Sequence, residues 1–547
     1  MRTKLPLAVF AVSVLPLICA VAARPDHQWP VNGGIDNIRY SPLTQITRAN
    51  VSRLAVAWTY DSHDAFNGSE MQSNPIVLGG VLYATTPSLK VVAVDAATGV
   101  EKWRFDPSGG AAPGSRFRHR GVTVHRDRVF VTHRNWLYAL DTRTGRPIAS
   151  FGKDGRVDLR EGLGRPAEKL SVSASTPGVV FDDLLIMGST VPETLPGAPG
   201  DIRAFDVNTG AIRWSFHTIP HPGEFGYDTW PKDAWQIAGG ANAWAGVSLD
   251  AKLGIVFAAT GSASFDFYGV NRHGDNLFSD CILALNARTG ERLWHFQGLR
   301  HDVWDMDFPA APSLVTVTRA GRKVDAVAQI TKYGYVYVLD RRTGAPLFPI
   351  GERKAPPSTI DGERLAPAQP YPLKPPPFTR QTLTEQMLTR RTPAAHAAVL
   401  AEFRALDAGF LVPPSLKGTA VFPGVDGGGE WGGAAFDPET ALLYVNANEM
   451  PWIVRLIPNN DTSLYNAKCA TCHKTDRTGT PQAPSLIDVG ARRGRDQIAD
   501  VVRHGTGRMP GFPDLGTKNI ADLVERGQGC GSRSHERPDL AQVPQRR

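Results

Sequence analysis

One phrase recurs along this chain and constrains its fold more than any other feature. Val92-Ala93-Val94-Asp95-Ala96-Ala97-Thr98-Gly99 runs on to Trp103, and Ile202-Arg203-Ala204-Phe205-Asp206-Val207-Asn208-Thr209-Gly210 runs on to Trp214. Ile282-Leu283-Ala284-Leu285-Asn286-Ala287-Arg288-Thr289-Gly290, ending in Trp294, is a third copy, with weaker ones at Leu137 to Gly145 and Val336 to Gly344. Each copy reads as an alternating strand, an Asp/Asn-x-x-Thr-Gly turn, and a second strand carrying Trp. Spacings of about 45 to 80 residues suit β-propeller blades with insertions. A Trp fixed on one strand ties each blade to its neighbour by packing on the next turn. The composition agrees: Gly 54, Pro 43 and Trp 12 in 547 residues describe a turn-rich β protein, long enough for more than one domain.

A second signal lies near the C-terminus, in Cys469-Ala470-Thr471-Cys472-His473. C-x-x-C-H is the attachment pattern of a c-type haem: two thiols bond the porphyrin vinyl groups and the adjacent imidazole ligates iron. A structural zinc needs a second pair of soft ligands, which Cys281 and Cys530 do not supply; a thiol redox pair is the other plain alternative. Met509 lies thirty-six residues past His473 in a polar, Pro-rich stretch, and a thioether as the second axial ligand favours electron transfer. Its bland alternative is an apolar residue of a small core. Leu464, Tyr465, Ile498, Val501 and Val502 mark short helices packed around the porphyrin. Residues 460–527 are therefore expected to form a small α-helical cytochrome c-like domain that moves electrons one at a time. Residues 528–547 are polar and read as a disordered tail.

The first 23 residues read as a secretory signal. Met1-Arg2-Thr3-Lys4 precedes an apolar run from Leu5 to Ala23, and the small residues Ala20, Ala22 and Ala23 fit cleavage before Arg24. Pro6 and Pro16 interrupt the run and leave it short for a membrane span, and Ile18 before Cys19 argues against a lipoprotein signal. With no later segment apolar enough to cross a bilayer, the mature chain is expected in the periplasm, where haem is attached to exported cytochromes. The net charge of +7 is spread without a dense Lys/Arg block. That argues against a nucleic acid partner and suits an acidic redox partner.

The repeat resembles the tryptophan-docking repeat of the pyrroloquinoline quinone (PQQ) dehydrogenases, from about Gln28 to Ile453. The likeness is strongest to the quinoprotein glucose dehydrogenase-like branch, whose members can carry a cytochrome c module. It implies an eight-bladed propeller over 24–455, with the cofactor at its centre. Oxidising an alcohol by this route needs a base, a quinone acceptor, a hard cation on the quinone oxygen, and flat surfaces for the rings. His301-Asp302-Val303-Trp304-Asp305-Met306-Asp307 resembles the family's catalytic loop, which makes Asp305 the base and a calcium ligand. Lys332, in Thr331-Lys332-Tyr333-Gly334, matches the cation that touches the quinone oxygens.

The resemblance also assigns Trp244 as the floor under the cofactor, Trp431 as a second contact, and Arg120 as the grip on a PQQ carboxylate. Gln72 and Ser175 fall in further cofactor-facing segments. For calcium it points to Glu193, Asp305 and the position of Ser262, where alcohol-oxidising relatives have Asn. Adjacent cysteines used by those relatives are absent, which tilts the expected substrate toward sugars or polyols. Residues 351–416, Pro-rich and then helical around Glu385 to Ala408, read as a decoration without clear chemistry. Relatives place closing strands after the cytochrome module. The polar tail after Val524 has no strand pattern, so the propeller is expected to be incomplete and the product C-terminally truncated, as by a frameshift. The expected function is PQQ-dependent oxidation of an aldose or alcohol, with electrons leaving through the haem. Its rivals are a non-catalytic haem-bearing scaffold, a truncated inactive product, and a plain electron shuttle.

Overall fold

The computed structural model describes residues 28–110, 118–457, 461–487, 489–507, 509–513, 515, 520 and 523. Residues 1–23, expected to be a secretory signal, and 528–547, expected to be a disordered tail, lie outside the described residues. The chain divides into two compact units, one ending at Val454 and the other beginning at Arg455.

The first unit is a propeller-type stack of sheets, of which the first five are antiparallel and hydrogen-bonded in chain order. The first sheet comprises Ile76–Leu78, Val81–Thr85, Val91–Asp95 and Glu101–Phe105; the second comprises Thr123–His125, Arg128–His133, Trp136–Asp141 and Arg156–Asp158. The third runs over Val179–Phe181, Leu184–Met187, Ile202–Asp206 and Ile212–Phe216, and the fourth over Val247–Asp250, Ile255–Ala259, Cys281–Asn286 and Arg292–Gln297. A fifth has three strands, Ser313–Arg319, Arg322–Ile330 and Val336–Asp340. Strands such as Val91–Asp95 and Ile202–Asp206 are buried at nearly every position, as strands covered on both faces must be.

The core lies between the sheets. Val91, Ala93 and Trp103 of the first sheet pack with Val129, Val131 and Tyr138 of the second. Phe257, Ile282 and Trp294 of the fourth meet Val327, Tyr337 and Leu339 of the fifth in the same way. The recurring phrase makes these seams. In the first turn Asp95 Oδ1 accepts from the amides of Ala97 and Thr98, both at 3.2 Å, and Gly99 closes it with φ +75°. The indoles then dock forward: Trp58 Nε1 donates to Ala96 O at 3.3 Å, Trp103 to Thr142 O at 2.8 Å, Trp214 to Ala287 O at 3.2 Å and Trp294 to Arg341 O at 3.1 Å. A Cβ on Gly99, Gly145, Gly290 or Gly344 would lie 2.4 to 2.7 Å from the docked indole. Only glycine leaves room there and adopts that φ. At Gly210 the neighbours are Val157 and Phe151 instead, because the second sheet's outer strand carries no Trp.

Beyond the fifth sheet the strands are shorter: Ile350–Arg353 with Gln369–Pro372, Thr419–Val421 between Asp407–Ala408 and Trp452–Val454, and Ala434–Asp437 with Leu442–Val445. Within 351–416 the expected long helix shrinks to a turn at Glu385–Met387 and a helix at Pro393–Arg404. Thr392 starts that helix, its Oγ1 accepting Ala395 N at 3.1 Å, with Pro393 in the first turn.

The second unit carries helices Asp461–Lys468, Ala470–His473, Val489–Arg492 and Arg495–His504. Its small core gathers Leu464, Tyr465, Cys469, Val502, Ile520 and Leu523. No helix among the described residues is long and apolar enough to cross a membrane.

Candidate active site

The loop 301–307 is shaped by one buried carboxylate. Asp302 accepts Trp304 N at 2.7 Å and Met306 N at 2.8 Å, so the chain wraps around it and presents Asp305 between the two amides. Trp304, 1 % exposed, anchors the loop in the core. His301 and Asp305 have φ of +49° and +56°, a region that non-glycine residues occupy only when neighbours hold them there. Lys332 Nζ donates to Asp305 Oδ1 at 2.8 Å and reaches Asp307 Oδ2 at 3.3 Å.

The two aspartates are not equivalent. Asp307 also receives Ser262 N at 2.6 Å, Ser262 Oγ at 3.0 Å and Trp244 Nε1 at 2.9 Å, whereas Lys332 is the one donor to Asp305 among the described residues. Burial raises both carboxyls. For Asp307, Lys332 and the Ser262 and Trp244 donors outweigh it and hold the group below the ordinary range. Asp305 stays well above that range, since Lys332 opposes burial and Asp307 adds to it. Burial alone would lower Lys332, but Asp307 and Asp305 together hold it above its ordinary value. The arrangement is an ammonium, a firmly ionised carboxylate, and a second carboxylate with a raised proton affinity.

Aromatic and cationic groups lie alongside. The Arg120 guanidinium stands 5.1 Å from the Trp244 ring and 4.8 Å from the Trp431 ring, and its Nη1 donates to Ser175 Oγ at 2.8 Å and Thr176 Oγ1 at 3.0 Å. Backbone bonds from Asn74 N to Arg120 O and from Arg120 N to Ser175 O set the Gln72, Arg120 and Ser175 segments side by side. Gly427 and Gly428 let the following loop lie on Lys332, where a Cβ on Gly427 would meet Lys332 Cγ at 2.6 Å; this delivers Glu430 and Trp431. Arg120 Nε and Gln72 Oε1 are buried without a hydrogen-bond partner in the structure. A small cavity of about 30 Å³ is lined by Arg120, Thr176 and Trp431 together with Asn37, Pro177 and Ala311, and not by Asp305 or Lys332. Flat indoles, a guanidinium and an ammonium with unmet polar atoms suit a flat, multiply anionic ring.

The sequence pattern of a family described as PQQ, glucose/ethanol/alcohol dehydrogenase, beta-propeller domain, matches residues 29–496. The chain belongs to this PQQ-dependent dehydrogenase family. It is 33% identical over 497 residues to quinoprotein glucose dehydrogenase A of Acinetobacter calcoaceticus, covering 82% of this chain and 61% of that protein. It is 28% identical over 472 residues to quinohemoprotein alcohol dehydrogenase ADH IIB of Pseudomonas putida, covering 82% of this chain and 60% of that one. Among solved structures, quinohemoprotein alcohol dehydrogenase ADHIIG from Pseudomonas putida HK5 superposes with a TM-score of 0.59 at 27% identity, covering 79% of this chain and 59% of that one. The chain thus spans about three fifths of the length of the curated relatives it matches.

The unmet Arg120 and Gln72 atoms and the two indoles fit a flat, multiply anionic group such as PQQ. The calcium set fits less well. Ser262 was the expected ligand in the Asn position, but its hydroxyl lies 2.5 Å from Asp302 Oδ2 and 3.0 Å from Asp307 Oδ1, engaged by both. Glu193 is exposed, and its carboxyl faces that of Asp266. Asp266 is pushed far above the carboxylate range by burial, then by Asp305, Glu193 and Asp307. That surplus of acids favours a cation, yet among the described residues no three His, Cys, Asp or Glu side chains form a coordination shell.

In the second unit Cys469 is buried and Cys472 exposed. His473 is buried, with Nδ1 2.8 Å from Pro484 O. An imidazole that donates from Nδ1 to a carbonyl presents Nε2 for a metal. Met509 is half-buried and pairs with Thr506 in a short hairpin.

Sequence reasoning passed over Asp302, Asp307, Asp266 and Glu430. Asp307 stood two residues after Asp305 in the quoted loop, but it is the turn at Asp305, φ +56°, rather than strand alternation that brings both carboxylates to Lys332. Glu430 stood in the quoted loop; burial raises its carboxyl while Lys332 and Arg120 oppose.

Proposed function

We propose that this protein oxidises the hydroxyl carbon of an aldose or alcohol with PQQ as the oxidant. Electrons then leave singly through haem c on Cys469 and Cys472, with His473 and Met509 on the iron, to an acceptor in the periplasm. The observation that carries the reading is the Asp305–Lys332 pair at 2.8 Å, beside an arginine flanked by two indoles. PQQ, when bound, supplies the ortho-quinone that accepts the hydride.

The residues have separable tasks. Asp305 takes the hydroxyl proton, and burial gives its carboxylate the proton affinity that a base needs near neutral pH. Lys332 keeps its charge throughout, because Asp307 remains 3.3 Å away after Asp305 is protonated. That fixed positive charge favours added electron density on a quinone oxygen. Trp244 is held at its indole nitrogen by Asp307, so the ring surface is fixed by the same carboxylate that fixes Lys332. Calcium beside Glu193 and Asp266 would offset the acid surplus. The missing adjacent cysteines support a sugar or polyol over methanol.

The test is to add PQQ, with and without calcium, to purified protein and follow dye reduction with glucose, polyols and simple alcohols. PQQ binding with substrate-dependent dye reduction is the expected result. Failure to bind PQQ would leave a haem-bearing scaffold or an electron shuttle.

A further inference from the structure

Residues 351–416 touch the chain just before Asp305 and just after Lys332, at Arg300, His301, Tyr333 and Gly334. Gln369 bonds the backbone of Arg300 in both directions: its Oε1 accepts Arg300 N at 2.8 Å and its Nε2 donates to Arg300 O at 2.7 Å. Glu363 Oε1 lies 2.8 Å from His301 Nε2, with both side chains at most 3% exposed. Gly269 makes this approach possible, since a Cβ there would be 2.3 Å from His301 Nε2. Further along the segment, Phe378 N donates to Gly334 O at 2.9 Å and Gln381 Nε2 donates to Tyr333 O at 2.9 Å. Those contacts grip the turn that follows Lys332.

His301 is held at both ring nitrogens. Nδ1 lies 2.8 Å from Gly274 O, a carbonyl that only accepts, so Nδ1 carries a proton. Burial would raise the Glu363 carboxyl, but His301 and the amides of Gly269 and Arg364 outweigh it and hold it below its ordinary value. A buried pair of this kind fixes geometry strongly, because withdrawing either partner leaves a buried polar atom unmet.

We propose that residues 360–381 brace the site and set the separation of Asp305 and Lys332. Glu363 is the positioning residue: through His301 it holds the start of the loop that bears Asp305. This rests on the reading of Asp305 as the base.

Glu363→Gln keeps the shape and removes the charge, Glu363→Asp restores the charge, and Glu385→Gln, at an exposed pair in the same segment, is the control. In cofactor-free protein labelled with nitrogen-15 histidine, the His301 signal is identified by its loss in His301→Asn. Its ring-nitrogen shifts should move in Glu363→Gln, return toward the wild-type values in Glu363→Asp, and stay put in Glu385→Gln. In the PQQ-loaded enzyme, Glu363→Gln should lower kcat by about tenfold to a hundredfold, with KM and PQQ affinity within about twofold. Partial recovery is expected in Glu363→Asp and no change in Glu385→Gln. A His301 signal that ignores Glu363→Gln overturns the proposal, as does an unchanged kcat once the signal has shifted. If Glu363→Gln does not fold, Glu363→Asp decides by the same two readouts. Wild-type protein that binds no PQQ fails the functional reading alone, and the histidine spectra then decide whether the brace exists.

Discussion

Asp305 and Asp307 share one lysine, yet the protein uses them in opposite ways. Four donor contacts hold Asp307 as a fixed anion, while Asp305 keeps Lys332 and a raised proton affinity. Replacing Asp305 by Asn removes the base and leaves a side chain of the same size. Turnover should then fall by about 10²- to 10⁴-fold while PQQ still quenches tryptophan fluorescence with unchanged affinity; comparing dye reduction with fluorescence titration checks this. Asp305 and Lys332 could be picked out beforehand because the segments bearing them are contiguous and distinctive. Asp307 could not, since its role comes from Trp244, 63 residues earlier, and from Ser262, 45 residues earlier. Nothing in a linear reading says that these three converge. The same limit hid Ser262's engagement with Asp302, so the sequence offered it as a metal ligand.

At the level of elements, the glycine beneath each indole is under two demands at once. Gly145 has φ +68°, and a Cβ there would lie 2.4 Å from Trp103. Gly145→Ala should therefore cost about 1–3 kcal/mol or more, seen as a lower urea midpoint. Gly79→Ala, at φ +58° with open space around it, should cost only about 1 kcal/mol. The turn aspartates add a pH term. Burial raises Asp206, but the amides of Thr209 and Asn208 outweigh it and hold the carboxyl below 3.8. A depressed folded pKa stabilises the fold fully above the unfolded value and is lost as pH falls through the folded one. Asp206→Asn, the residue type that Asn286 supplies in the fourth sheet, should thus show a smaller loss of stability between pH 5 and pH 3 in urea melts. These turns were legible because strand, turn and Trp are close in sequence. The brace was not, because Glu363 and His301 are 62 residues apart and neither belongs to a repeat.

At the scale of the whole molecule, the two units have separate cores, so the haem and PQQ tasks proposed above should be separable. A Cys469→Ser, Cys472→Ser double variant should lose haem from the denatured polypeptide, read by haem staining of a gel. Dye reduction by the PQQ-loaded protein should persist within about twofold, because Asp305 and Lys332 belong to the other unit.

The forward docking of the indoles gives the first unit a polarity. Each docked indole hydrogen-bonds to the turn of a later sheet, so four seams present a ring on one side and a glycine turn on the other, the seam between the second and third sheets excepted. Seams of one design are interchangeable: a duplicated or deleted copy would still find a matching partner. Sheet number is then the freest quantity in this architecture for evolution to change. The loops around Asp305, Lys332 and Trp431 arise from different places along the series, and they mark the copies that such rearrangement has to spare.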